Sequence, residues 1–117
     1  MSENWVFKEQ IMVKKIFFIL FLTISTIGFS QEKSIDDLSA APNPFANSTK
    51  ITFTAITDED ITLEVKNVLG KSVFKKEYKV TKGKNTIDFY KNELQSGIYI
   101  YRIQDSKNLI SKRFVIK

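Results

Sequence analysis

The chain has 117 residues, 43% of them apolar, a formal net charge of +5, and neither cysteine nor histidine. That length allows one domain, and without cysteine there is no disulfide framework and no thiolate to bind metal or attack a substrate. Without histidine, Ser-His-Asp and Cys-His chemistry are excluded and the commonest metal ligand is missing, so neither an enzyme nor a cofactor is expected.

The N-terminus reads as an export signal that starts late. Met12-Val13-Lys14-Lys15 is a short basic segment, Ile16–Leu22 is an unbroken apolar run, and Gly28-Phe29-Ser30 places small residues for cleavage between Ser30 and Gln31. A helical signal peptide is therefore expected over residues 12–30. The apolar stretch is interrupted by Thr23, Ser25 and Thr26 and falls short of the ~20 residues a membrane span needs, so no stable anchor is expected after cleavage. Residues 1–11 put Glu3 and Glu9 ahead of a segment that should be positive. They read as an over-extended start, with translation beginning at Met12.

Residues 31–117 read as short strands separated by turns. Ile51, Phe53 and Ala55 alternate with polar residues, as do Ile61, Leu63 and Val65, the pattern of strands with one buried face. Leu69-Gly70-Lys71 is a turn whose glycine permits positive φ. The strand from Ser72 to about Val80 carries Lys75, Lys76, Glu77 and Lys79, a charge load that suits a sheet edge. Lys82–Asn85 is a hairpin turn into Ile87 and Phe89. Ile98–Ile103 is apolar or aromatic on both faces, which predicts a central strand, and Leu109–Ile116 closes the chain. About seven strands at this spacing predict an all-β, immunoglobulin-like antiparallel β-sandwich.

Four segments stand in an informative order: Pro42-Asn43-Pro44-Phe45, Asn67–Lys71, Leu94–Tyr99 with Gly97, and the terminal Lys112-Arg113-Phe114-Val115-Ile116-Lys117. In order and spacing they resemble the type A C-terminal sorting domain of the type IX secretion system, over about Ser34–Lys117. The resemblance implies that Pro42, Asn43, Pro44, Phe45, Leu69, Gly70, Gly97, Tyr99, Lys112, Arg113, Phe114, Val115 and Lys117 belong to the sorting motifs. It also implies an outer-membrane translocon and a sortase as partners, with passage through the periplasm to the cell surface or the medium. Between Ser30 and the first strand there is no room for a cargo domain, a departure from the family pattern.

Each motif also has a plainer reading. Pro42–Phe45 serves as a rigid turn whose phenylalanine plugs the sandwich, Gly70 and Gly97 as turn glycines, and Tyr99 and Tyr101 as packing residues with wet hydroxyls. The terminal strand reads either as a solvated edge guarded by charge or as an open edge that a partner reads by strand addition, with Lys112, Arg113 and Lys117 supplying charge. Asp36-Asp37 and Asp58-Glu59-Asp60 read as solvated acidic turns rather than calcium sites. The lysines are scattered rather than clustered, so nucleic acid is not an expected partner. The alternative function is a small secreted β-sandwich that binds a surface glycan or protein.

Overall fold

The computed structural model describes residues 32–117; the expected signal peptide and its cleavage site at Ser30 and Gln31 lie outside them. Seven strands follow in chain order: β1 Ile35–Ala41, β2 Ser48–Ala55, β3 Ile61–Asn67, β4 Ser72–Tyr78, β5 Gly83–Tyr90, β6 Gly97–Gln104 and β7 Leu109–Ile116. They form two antiparallel sheets, ordered β1-β2-β5 and β4-β3-β6-β7. The β2–β3, β4–β5 and β5–β6 connections cross between sheets, so the two layers share one core, as in an immunoglobulin-like sandwich.

The alternation read in β2 and β3 holds. Ile51, Phe53, Ile61, Leu63 and Val65 are all at or below 1% exposure, and their polar neighbours face outward. β4 is an edge strand, where its lysines discourage pairing with another chain.

β1 is a strand that the sequence pattern does not announce, and β6 differs from expectation. β1 carries no clear period because its register against β2 shifts between Asp36 and Ser39, and Asp37 has φ +54°. This bulge puts both acids outward while Ile35 and Leu38 stay buried. β6 is internal, between β3 and β7, but only Tyr99, Tyr101 and Ile103 reach the core. Ile98 and Ile100 face outward at 46% and 40% exposure. Apolar residues on both faces marked an inner strand correctly; they did not mean that both faces are covered.

The core centres on stacked aromatics. Phe114 lies parallel to Tyr101 with ring centroids 5.0 Å apart and edge-on to Phe45 at 5.1 Å, geometries the ring quadrupole favours.

Candidate functional site

The Pro42–Phe45 segment and the terminal strand are joined across 70 or more residues of sequence. Asn43 Nδ2 donates to the Arg113 carbonyl at 3.2 Å, and the Val115 amide donates to Asn43 Oδ1 at 2.9 Å. The carboxamide thus stands in for one peptide unit of a neighbouring strand. Two residues on, the Phe45 amide donates to the Val115 carbonyl at 3.0 Å and the Lys117 amide to the Phe45 carbonyl at 2.8 Å. This forms a parallel bridge between Phe45 and Ile116.

Both readings of the terminal strand took its edge as free; these four bonds cover it in part. Between the Arg113 carbonyl and the Lys117 amide the outward-facing backbone groups are already paired, so strand addition there would have to displace Asn43 and Phe45. Pro42 and Pro44, both exposed and both following cis peptide bonds, flank the clamp. The Pro42 carbonyl accepts the Thr49 hydroxyl at 2.7 Å. Phe45 is 1% exposed and fills the gap between the sheets against Phe89 and Phe114, in keeping with the plug reading.

The other quoted motifs gather at the same end. Asn67 pairs in register with Tyr99, and Tyr99 with Phe114; Gly97 pairs with Ile116. The β3–β4 turn is held by the Asn67 side chain, whose Oδ1 accepts the Leu69 and Lys71 amides at 3.0 Å each. Gly70, at φ +82°, completes it. Leu69 is left 89% exposed. Tyr99 donates its hydroxyl to the Gln95 carbonyl at 2.7 Å and so pins the loop before Gly97. Lys112 pairs with Tyr101, farther from the clamp, and is exposed with Arg113 and Lys117.

Two polar clusters were not legible as sites. At the opposite end, the Ser34 hydroxyl donates to Asp105 Oδ2 at 2.5 Å and the Ser34 amide to Asn108 Oδ1 at 2.9 Å. Asp105 Oδ1 accepts the Lys107 and Asn108 amides at 2.8 and 2.7 Å. Burial pushes the Asp105 carboxyl up, but the Ser34, Asn108 and Lys107 hydrogen bonds outweigh it and hold it below the usual aspartate value. Asp105–Asn108 reads from sequence only as a polar turn; nothing local announces Ser34 as its partner.

On the outer face of the four-stranded sheet, buried Glu64 lies 2.6 Å from Arg102 Nη2 and 3.8 Å from Lys66 Nζ. Burial raises its pKa, and Ser72, Arg102, Lys66 and Lys75 more than reverse that. Among the described residues no group of three or more acidic side chains is placed to hold a metal ion. A cleft of about 400 Å³ opens between β4 and β5, lined by Phe53, Phe74, Tyr78, Phe89 and Tyr90 with lysines at the rim.

A family model described as "Secretion system C-terminal sorting domain" matches residues 39–117, from within β1 to the last residue. The chain belongs to that family. The sorting domain is a C-terminal signal for the type IX secretion system, which directs export to the cell surface or the medium through that machinery. The family is one of sorting signals, not of enzymes.

No curated protein matches the chain. Among solved structures, beta-glucosidase 3B from Thermotoga neapolitana in complex with alpha-D-glucose is similar at 13% identity and a TM-score of 0.49, covering 71% of this chain and 15% of that one. A beta-glucosidase from Kluyveromyces marxianus is similar at 11% identity and a TM-score of 0.45, covering 71% and 14%. The sorting domain thus spans about a seventh of those enzymes, and none of their chemistry carries over to it.

Proposed function

We propose that the folded sandwich is what the outer-membrane translocon recognises, after the chain has crossed the inner membrane on residues 12–30 and lost them before Gln31. A sortase then removes the domain from whatever it carries. The observation that supports this is the convergence of Asn43, Phe45, Gly97, Tyr99, Val115 and Lys117 on one end of the sandwich. Residues so far apart in sequence come together at one end only after folding, with Phe45 and Tyr99 buried beneath the exposed Asn43 and Lys117.

Intact-mass measurement tests each step on a passenger inserted between Glu32 and Lys33. In a host with its translocon disabled, the periplasmic product should begin at Gln31 and end at Lys117. In a competent host the exported passenger should lack the mass of the domain. An exported product that retains Lys117 contradicts removal by a sortase, and a product that retains Lys14 and Lys15 contradicts the signal assignment.

The second reading, a binding module for a glycan or protein, rests on the aromatic-lined cleft between β4 and β5. Tyr78→Ala tests whether sorting uses the cleft. Export unchanged by it favours sorting without the cleft; export lost, with the fold intact, makes the cleft the recognised feature.

A further inference from the structure

Building on the sorting reading, we propose that the outer face of the four-stranded sheet, at the end carrying the β3–β4 turn, is the docking surface. The backbone edge of the terminal strand is not. Its occupant is a protein surface of the secretion machinery that is apolar at its centre and carboxylate-rich at its rim.

The apolar part is a cluster rather than scatter. Of the seven large apolar side chains exposed among the described residues, four belong to this end: Val68 at 73%, Leu69 at 89%, Ile98 at 46% and Ile100 at 40%. Val115 stands opposite Ile98 in register. Turn tips are ordinarily polar, and grouped exposed aliphatics cost solubility unless something covers them. On the outer face of the three-stranded sheet, the central outward positions are Thr52, Thr54, Thr86 and Lys50 instead.

The charged residues in register beside the patch are cationic. Ile100 sits in register between Lys66 on β3 and Arg113 on β7, and Lys71 closes the turn. The nearest carboxylate on this face, Glu64, is one row away and already engaged by Arg102 and Lys66. An apolar centre with a charged rim is the usual anatomy of a protein interface, and a cationic rim is complemented by carboxylates. Strand addition at Arg113–Lys117 is blocked by Asn43 and Phe45, so a partner meets the side chains of β6 and β7 rather than their backbone.

The test uses the full chain with an epitope inserted between Glu32 and Lys33, expressed in a host that has the secretion system. Surface epitope is compared with total. Ile98→Thr/Ile100→Thr keeps the β-branched shape, and Lys71→Glu/Arg113→Glu reverses the rim. Lys50→Glu/Tyr90→Thr makes equivalent changes on the other face. The proposal expects each of the first two variants to lose surface epitope by about tenfold or more, the scale of losing one interface anchor, with urea midpoints close to the parent chain. The control variant should export normally.

If the parent is exported and the Ile98/Ile100 variant is exported equally well, the docking surface is wrong and the sorting reading stands. If only the charge-reversed variant exports normally, the acidic rim is wrong. If the parent itself stays in the cell, it is the sorting reading that fails.

Discussion

Asn43 pairs with Val115 as one strand residue pairs with another, but through a side chain. Its Oδ1 accepts the Val115 amide at 2.9 Å, while its Nδ2 reaches the carbonyl of Arg113. A side-chain amide carries the same donor and acceptor as a peptide unit. It can therefore cap an edge where the chain turns too sharply to run as a strand.

Asn43→Ala removes both bonds. They are solvent-accessible, so the expected loss is about 1–2 kcal/mol rather than the larger figure for buried groups. Urea melts measure it, and amide exchange at Val115 should accelerate relative to Tyr101, deep in the ladder. Unchanged exchange at Val115 would mean the clamp is not formed in solution.

Phe45→Ala should cost about 3–5 kcal/mol, because a fully buried ring touching Phe89 and Phe114 leaves a cavity between the sheets. Phe53→Ala, equally buried on β2, should fall in the same range. Either loss is a large share of the 5–15 kcal/mol typical of a domain. A Phe45→Ala melt that overlays the parent would show that the plug contributes nothing to the core.

Asp105 links stability to pH. Its carboxyl sits below its unfolded value, so its contribution is complete above the unfolded pKa of about 3.9 and fades as pH falls through the lower folded one. Stability measured by urea should therefore decline below about pH 4–5. Asp105→Asn should be less stable at neutral pH by about 1–3 kcal/mol, since Ser34 and two amides lose a charged acceptor, and its acid dependence should be flatter. A parent and variant with parallel pH profiles would remove Asp105 from the account.

Strands with one buried face were legible because alternation at Ile51/Phe53 and Ile61/Leu63/Val65 is a local signal. β1 was not, because a bulge at Asp36–Asp37 breaks the period that such reading depends on. The sorting motifs were visible as segments, but their junction was not. Nothing near Asn43 indicates a partner 72 residues away, and a charged, alternating C-terminus reads as an open edge unless that partner is known. The Ser34–Asp105 bond is hidden for the same reason. Ile98 and Ile100 show a different limit: composition marks a residue as apolar, while only the neighbouring layer decides whether it is covered.

The most direct test of the account follows a passenger inserted between Glu32 and Lys33 of the full chain. Its surface and extracellular fractions are measured in a host with type IX secretion and in the same host with the translocon disabled. The account predicts passenger on the surface or in the medium in the first host and retained in the periplasm in the second. Retention in both hosts, or equal release from both, would contradict it.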